Sequence, residues 1–284
     1  MGSYDLAWEL VYVLNGLSAD PQSFMDTFEV DHRENALNLI DMDKRWYQGQ
    51  FGRRDKINSK TLPSPDEVRK QIGAFISGVG TEHAAGYLVD KKLSTQTGGP
   101  VKSTDFALGA LREGRRLCDV IVTRFADGLP RHIQDEFPSD GRFRILVLTS
   151  TDSLDPQGIS MPSPKELCTT IMPQFASGLL ELVMLHLLSP HSFEWSHLPT
   201  IIKDVSEMRV HHANETAYTA YGVDPSFGAL VVVRPDGYVD TIAKLGSCVS
   251  CRQILESTLG DDVDPRTMNG AGNVLFSLII GLLE

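Results

Sequence analysis

The chain has 284 residues, of which 42% are hydrophobic and 22% charged, so it can bury one large core or two modest ones. Its formal net charge is −11 and no stretch concentrates Lys and Arg, which argues against binding to a nucleic-acid backbone. No apolar run reaches the roughly 20 residues of a membrane-spanning helix, and the first residues do not resemble a secretory leader. Four cysteines are few for this length, as is usual in a reducing compartment, so we expect a cytoplasmic protein.

Two amphipathic helices are predicted near the start of the sequence. The first covers residues 4–17 and is ended by Asn15-Gly16, and the second begins at Asp20-Pro21 and ends near Gly49 or Gly52. Apolar residues recur at spacings of three and four in both helices, which predicts one buried stripe on each. The predicted stripes are Leu6, Leu10, Val13, Leu14 and Leu17 on the first helix, and Phe24, Phe28, Ala36, Leu39 and Ile40 on the second.

Two such helices cannot cover their apolar faces on each other alone, so we expect them to be the remnant of a larger fold. Residues 53–70 are predicted to form a loop leading to a short helix, and residues 74–89 an irregular segment or short ribbon. Residues 95–103 contain Gly98-Gly99-Pro100 and are a candidate linker, which places a domain boundary near residues 90–110. The predicted organisation is a helical domain over residues 1–100, an α/β domain over residues 110–262 and an atypical apolar tail over residues 263–284.

The second domain is predicted to open with short strands. One covers Val120–Val122 and turns at Asp127-Gly128, and the next covers Phe143–Leu148 after a turn at Asp140-Gly141. Residues 164–188 are predicted to be helical, with Pro173 as a start or a kink. Further short strands are expected around Trp195, Ile201-Ile202 and residues 205–210.

A β-hairpin is predicted near the end of the chain. Leu230–Val233 and Tyr238-Val239 flank Pro235-Asp236-Gly237, which is a turn sequence. A last helix is predicted over Cys251–Leu259. Strand, helix, strand, hairpin and helix in this order are typical of a thioredoxin-like layer sandwich, so the predicted fold class is α/β.

Cys248 and Cys251 form a C-x-x-C motif at a helix start, where a stabilised thiolate is suited to redox chemistry. In redox thioredoxins this motif follows the first strand of the central sheet, whereas here it follows the final hairpin. Two small buried or half-exposed residues are therefore the favoured interpretation. A single C-x-x-C also has too few ligands for a structural zinc site.

Two groups of polar residues are weighed as sites and favoured as structural. Five histidines lack the i, i+4 spacing and the glutamate of a zinc-protease motif, and are interpreted as polar residues of loops and strand faces: His186, His191, His197, His211 and His212. Asp31, Arg33 and Glu34 are interpreted as a solvated helix face or a domain contact. No catalytic, cofactor-binding or metal-binding residue is predicted in this chain.

Six segments carry a family resemblance, in order along roughly residues 3–260. They are Ser3-Tyr4-Asp5-Leu6-Ala7-Trp8-Glu9-Leu10, Asp26-Thr27-Phe28-Glu29, Leu39-Ile40-Asp41-Met42-Asp43, Gly114-Arg115-Arg116-Leu117, residues 139–147 and residues 220–239. Together they resemble the C-terminal portion of the phenol 2-monooxygenase (phenol hydroxylase) family of FAD-dependent aromatic hydroxylases. The resemblance implies a thioredoxin-like dimerisation domain, preceded by a helical remnant of the flavin monooxygenase domain, and a homodimer.

The resemblance also implies FAD and NAD(P)H as cofactors and a phenolic small molecule as substrate, with the flavin supplying the oxygenation chemistry. The sequence departs from the family pattern at Asp5, where Asn is usual, and at Glu9, where Lys is usual. It also lacks the G-x-G-x-x-G turn, the Asp-Gly motif and the Gly-Asp motif that hold the flavin in the family. No flavin-contacting residue can therefore be carried over, and the chain alone is not expected to catalyse hydroxylation.

Two hypotheses stay open. The chain is part of an FAD-dependent aromatic monooxygenase that hydroxylates a phenolic intermediate of secondary metabolism, or it is a stand-alone, non-catalytic dimerisation or interaction module derived from that family. Binding of flavin by the purified chain would separate them.

Overall fold

The structure is a computed structural model that describes residues 2–51, 73, 81–91, 111–153, 155, 157–188, 192–200, 202–203 and 207–260. The predicted loop over residues 53–70, the candidate linker over residues 95–103 and the tail over residues 263–284 lie outside the described residues. No helix within the described ranges combines the length and the apolar character that crossing a bilayer requires.

Two helices open the structure, as predicted. Helix α1 covers Gly2–Leu14, and the chain then turns at Asn15-Gly16. Helix α2 covers Pro21–Phe51. A carboxylate caps its start, because the backbone N–H groups of Gln22 and Ser23 donate to Asp20 Oδ1 over 3.1 and 3.2 Å.

The predicted apolar stripe of α1 is confirmed only in part, because Leu17, just after the helix, is buried and Val13 packs against the core, whereas Leu10 and Leu14 are exposed. Leu14 is 72% exposed, and the buried face of the helix is formed by Trp8, Val11 and Tyr12 instead. The ring centroid of Trp8 lies 5.4 Å from that of Phe24 and 5.9 Å from that of Phe143. The helix is therefore rotated so that its large aromatic side chains, which bury the most apolar area, face the body of the protein.

The predicted stripe of α2 is confirmed only near the start of the helix. Phe24 is fully buried and Phe28 half-buried, whereas Ala36, Leu39 and Ile40 are exposed. Only the first turns of α2 lie against other described residues through their apolar side chains.

The first predicted strand and its turn are confirmed, and the structure adds a second strand after the turn. Strand β1 covers Ile121–Arg124 and pairs antiparallel with β2, Pro130–His132, across the turn at Asp127-Gly128. Strand β3 covers Phe143–Leu148, as predicted, and all six of its residues are buried.

The second half of the helix predicted over residues 164–188 is wrong. Helical backbone covers α3, Pro162–Glu166, followed by a π-helical turn at Leu167–Ile171 and a 3-10 turn at Met172–Gln174. Gly178 then has a φ of +83°, which a helix cannot continue, and strand β4 follows at Leu180–His186. A continuous apolar run is ambiguous between helix and strand, and here it is buried between two neighbouring strands.

The strands predicted around Trp195 and Ile202 are also wrong. Trp195–His197 forms a 3-10 turn and Ile202 is helical. A short 3-10 turn, Glu207–Arg209, leads into strand β5 at Val210–His212, at the end of the predicted range.

The last predicted hairpin and helix are confirmed. Helix α4 covers Glu215–Tyr221, strand β6 covers Ala229–Val233 and strand β7 covers Val239–Ala243. Helix α5 then covers Cys248–Thr258.

The described strands form one sheet in the order β2-β1-β5-β4-β3-β6-β7. Strand β3 is parallel to β4 and antiparallel to β6, and β6 and β7 form the terminal hairpin. With α3 between β3 and β4 and α5 after β7, this order is that of a thioredoxin-like sheet extended by β5, β1 and β2. The predicted α/β class and thioredoxin-like fold are confirmed.

The sheet separates two hydrophobic cores. Ile145 and Val147 of β3 face a core that includes Trp8, Tyr12 and Phe24 from the two opening helices. Leu146 and Leu148 of β3 face a second core on the side of α4. The opening helices therefore share a core with the sheet, and the division at residues 90–110 stays a prediction.

Gly228 and Gly128 offer a matched test of the packing at the end of β3. Both have positive φ values, +60° and +66°, but a Cβ at Gly228 would lie 2.3 Å from the carbonyl oxygen of Leu148, whereas a Cβ at Gly128 would meet nothing within 4 Å. We expect Gly128→Ala to lower the free energy of unfolding by about 1–2 kcal/mol through backbone strain alone. We expect Gly228→Ala to lower it by about 1–3 kcal/mol more through overpacking, measured by urea unfolding. Equal losses in the two variants would contradict this account.

Candidate functional site

Charged side chains meet where the opening helices lie on the terminal hairpin. Asp5 and Glu9 are one turn apart on α1, Asp31 lies on α2, and Asp236 and Asp240 lie in the turn before β7 and on β7. We call the following residues the Arg234 cluster: Asp5, Glu9, Asp31, His83, Arg234, Asp236 and Asp240.

Arg234 is the cation of this cluster and is only 2% exposed. Its Nε lies 3.2 and 3.1 Å from the two carboxylate oxygens of Asp236, and its Nη1 lies 3.3 Å from Asp31 Oδ2. Its Cζ lies 5.7 Å from the ring centroid of Trp8 and 5.8 Å from that of Tyr238. Burial acts to lower the pKa of Arg234, but Asp236 and Asp31 outweigh it and raise the pKa, so the guanidinium is charged.

Asp31 connects this cation to a histidine. His83 Nδ1 lies 3.2 Å from Asp31 Oδ1, and the ring of His83 packs at 4.4 Å from that of Tyr238. Burial acts to raise the pKa of Asp31, but the contacts with His83 and Arg234 lower it below its ordinary value. Asp31 is therefore ionised at neutral pH and joins α2 to the hairpin.

Asp5 and Glu9 have the opposite character. Burial, together with repulsion from Asp236, raises the pKa of Asp5 to about 7 and that of Glu9 to about 9. Glu9 is 1% exposed, and its Oε2 has no hydrogen-bond partner among the described residues. A buried carboxyl without a counter-charge favours its neutral form.

Asp240 on β7 behaves in the same way. Burial raises its pKa to about 7, and its Oδ2 has no hydrogen-bond partner within the described ranges. Its Oδ1 accepts a hydrogen bond from the backbone N–H of Asp90 over 3.3 Å. The cluster thus combines ionised carboxylates on Arg234 with carboxyls that are neutral or titrate near neutral pH.

A cavity of about 280 Å³ adjoins the cluster, beside the first turns of α1. Its lining includes Tyr4, Asp5, Arg144, Arg234 and Asp236. Arg144 is already held by Asp140 and Glu181 at 2.6 and 3.1 Å, as Arg234 is by its own carboxylates. These guanidinium groups are therefore engaged within the protein and do not form a phosphate site.

The C-x-x-C motif lies in the first turn of α5, and both sulfurs are buried. Burial raises the pKa of Cys248 to about 11 and that of Cys251 to about 12. A reactive cysteine needs an accessible thiolate, which this environment disfavours.

The position at which redox thioredoxins carry their cysteines holds hydroxyl groups instead. Directly after β3, Thr149 Oγ1 lies 2.7 Å from Ser153 Oγ, and Ser150 Oγ lies 2.9 Å from Ser160 Oγ. Asp152 accepts hydrogen bonds from the hydroxyls of both Ser150 and Ser160. The network is buried and internally satisfied, and it was not singled out from the sequence.

Three of the histidines weighed as ligands lie on the neighbouring strands β4 and β5, where the ring centroids of His186 and His212 are 5.7 Å apart. His186 is fully buried, its ring stacks 4.0 Å from that of Phe193, and burial lowers its pKa to about 3. His211 Nε2 lies 3.4 Å from Glu136 Oε2, and His197 Nδ1 accepts from the N–H of Glu194. The described residues contain no group of three or more His, Cys, Asp or Glu side chains arranged to hold a metal ion. His191 lies outside the described residues.

Asp31 and Arg33, two of the three charged residues of α2 that were weighed with Glu34 as a site, have different surroundings in the structure. Asp31 makes a contact with the sheet domain through Arg234, whereas Arg33 is exposed beside Glu29. Sequence reasoning therefore missed the cluster as a unit, although Asp5 and Glu9 had been marked as departures from the family pattern.

Removal of Arg234 tests the cluster as a structural centre. We expect Arg234→Gln to lower the free energy of unfolding by about 3–5 kcal/mol near neutral pH, because it leaves Asp31 and Asp236 buried without their guanidinium partner. Arg252→Gln breaks an exposed i, i+4 pair with Glu256 and should cost less than about 1 kcal/mol. Urea unfolding of both variants measures the difference.

The pH dependence of that loss has a defined sign. The pKa of Asp31 is lowered in the folded protein, so its ion pair stabilises above the unfolded pKa of about 4 and is lost as pH falls through the folded value. The difference between Arg234→Gln and the parent protein should therefore shrink below about pH 4. A difference that stays constant down to acidic pH would show that Arg234 acts through packing alone.

Comparison with known proteins adds the family. The model of the phenol hydroxylase C-terminal dimerisation domain matches residues 84–259. The chain is 27% identical over 259 residues to the flavin-dependent oxygenase ucdD of Aspergillus ustus, covering 86% of this chain and 38% of that protein. It is 27% identical over 283 residues to the phenol 2-monooxygenase fsqG of Aspergillus fumigatus, covering 93% of this chain and 44% of that protein.

A solved structure shows the same fold. The flavin-dependent monooxygenase PieE, solved in complex with FAD and substrate, aligns with a TM-score of 0.50 at 16% identity over 90% of this chain and 42% of that one. The chain spans less than half the length of these relatives. From the domain match over most of its described residues, the chain belongs to the family of proteins that carry the phenol hydroxylase C-terminal dimerisation domain.

Proposed function

We propose that this chain is the dimerising portion of a cytoplasmic FAD-dependent aromatic monooxygenase that hydroxylates a phenolic intermediate of secondary metabolism with NAD(P)H as reductant. Its relatives include a flavin-dependent oxygenase, an FAD-dependent monooxygenase, a phenol 2-monooxygenase and a 3-hydroxybenzoate 4-monooxygenase of Comamonas testosteroni. The role of this chain within such an enzyme is to hold two subunits together.

The proposal rests on one observation, namely that the described thioredoxin-like sheet has hydroxyl groups at the position of the redox cysteines and keeps its own C-x-x-C cysteines buried. The position after β3 holds a satisfied hydroxyl network around Asp152, and Cys248 and Cys251 are buried with raised pKa values. A sheet without an accessible thiolate is suited to packing and association rather than to thiol chemistry. This agrees with the dimerisation domain that matches residues 84–259.

The described residues do not fit the flavin. The pyrophosphate of FAD needs free backbone N–H groups at a helix start, next to a glycine-rich turn that follows a strand. The start of α2 is capped by the carboxylate of Asp20, and in the turn from β7 to α5 the N–H of Gly246 donates to Ser163 Oγ over 2.7 Å. The guanidinium groups of Arg144 and Arg234 are paired within the protein. No step of the oxygenation is therefore assigned to these residues.

This misfit also favours the second candidate, a non-catalytic dimerisation or interaction module derived from the same family. In both candidates the chain self-associates, and they differ in whether a flavin site is completed by polypeptide beyond the described residues. The chemistry supplied by bound FAD would be oxygen activation beside the aromatic ring.

Two measurements on the purified chain test the proposal. Light scattering after size-exclusion chromatography should give about twice the chain mass of 31.3 kDa at micromolar concentrations. After incubation with excess FAD and desalting, the protein should remain colourless, because the described residues offer no site for the pyrophosphate.

The two outcomes are separable. A monomer at all concentrations would reject the dimerising role whatever the flavin result. Tight, stoichiometric retention of FAD would show that the chain completes a flavin site by itself and would reject the second candidate.

A further inference from the structure

Within the Arg234 cluster, Glu9 is a carboxyl group whose burial is not explained by the contacts that it makes. It lies on α1 beneath the hairpin, its side chain is 1% exposed, and its Oε2 meets no donor among the described residues. Asp5, one turn earlier on the same face, lines the adjoining cavity and has His32 Nε2 at 3.5 Å. Both carboxyls face Arg234, whose donors are already directed at Asp31 and Asp236.

The charges around Glu9 come from every element packed on this side of α1. Glu9 interacts with Arg234, Asp236 and Asp31 and with Asp5 of its own helix, and Asp5 in turn interacts with His83 of the segment over residues 81–91. Next to these groups lie His32 of α2, which interacts with Asp31, and Asp240 of β7, which interacts with Arg234, Asp236 and Asp90. Arg234 is one guanidinium that already pairs with two carboxyl groups, those of Asp31 and Asp236. An ionised Glu9 would therefore be a buried anion in excess, which is among the most costly arrangements in a protein interior.

We propose that Glu9, with Asp5 as a second site, binds a proton in the folded protein, and that release of these protons loosens the α1–α2 pair from the sheet. The occupant of the cluster is a proton because the carboxyls already surround a guanidinium, and the described residues offer no ligand set for a metal ion. The cluster is then a pH-sensitive contact between the opening helices and the thioredoxin-like sheet.

The direction of the effect follows from linkage. Burial raises the pKa of Glu9 to about 9 and that of Asp5 to about 7, above unfolded values of about 4.3 and 3.9. The stabilisation by the bound protons is complete below the unfolded values and is lost as pH rises through the folded values. Each carboxyl can raise the unfolding equilibrium constant by up to about tenfold per pH unit in that window.

Trp8 provides a fluorescence reporter beside the Arg234 cluster. Its ring packs against those of Tyr12, Phe24 and Phe143 and lies near the guanidinium of Arg234. In a background with Trp46→Phe and Trp195→Phe, Trp8 is the remaining tryptophan of the chain. Its emission then follows the docking of α1, while urea unfolding follows global stability.

The experiment compares the full-length parent protein with Glu9→Gln and Asp5→Asn between about pH 4 and about pH 10. In the parent, stability should fall and Trp8 emission should shift to longer wavelength as pH rises. Glu9→Gln, which is isosteric and permanently neutral, should abolish most of this dependence, and Asp5→Asn should remove its lower-pH part. Glu29→Gln, at an exposed carboxylate of α2, is the matched control and should retain the dependence of the parent.

An infrared measurement on the parent protein keeps the test independent of how well any variant folds. At neutral pH the buried protonated carboxyls should give a carbonyl stretch that disappears on alkaline titration, and Glu9→Gln should remove the part of it that titrates near pH 9. Absence of this band in the parent would overturn the proposal. Identical pH dependence in the parent and in a folded Glu9→Gln variant would overturn it as well.

Discussion

The buried guanidinium of Arg234 is the interaction on which the arrangement of the opening helices depends. A buried cation is tolerated only where carboxylates and hydrogen bonds replace its water, and here they come from two distant parts of the chain. Asp236 belongs to the hairpin, and Asp31 belongs to α2, 203 residues away in sequence. The aromatic rings of Trp8 and Tyr238 complete the environment. Satisfying one side chain therefore joins α1, α2 and the terminal hairpin, and the apolar contact of Trp8 with Phe143 acts in the same place.

The Arg234 cluster contains more carboxyl groups than cations. Two of these carboxyls, Asp5 and Glu9, are the positions at which the sequence departs from the family pattern. With Asn at Asp5 and Lys at Glu9, the cluster would hold two carboxyls fewer and one cation more. With Asp and Glu, it holds groups whose pKa values are raised toward or above neutrality. Such carboxyls lower stability where they ionise and are harmless where they are protonated. The departures thus place groups that titrate at or above neutral pH at the contact between the opening helices and the terminal hairpin.

Local signals predicted much of the fold, and the errors have a common cause. The turns at Asp127-Gly128 and Pro235-Asp236-Gly237 were predictable because their residue types have specific backbone preferences. The run from Leu180 to His186 was misassigned because an apolar run has no period when both faces of a strand are buried. The buried face of α1 differs from the predicted one because the rings of Trp8 and Tyr12 bury more apolar area than the leucines of the predicted stripe. The Arg234 cluster was not predictable as a unit, since its members are joined only by tertiary structure.

The described thioredoxin-like sheet differs in its chemistry from the sheet of a redox thioredoxin. A redox thioredoxin needs an exposed thiolate after its first central strand, but here that place is closed by hydroxyls that bond to Asp152 and to one another. The two cysteines of the C-x-x-C motif instead pack in the core under α5, where their thiol forms are favoured. A described sheet that offers no accessible thiolate at that position is consistent with the match to a dimerisation domain over residues 84–259. The carboxyls whose pKa values are raised to about 7 or above, Asp5, Glu9 and Asp240, lie where the sheet meets the opening helices, so a response to pH near neutrality is expected at that contact.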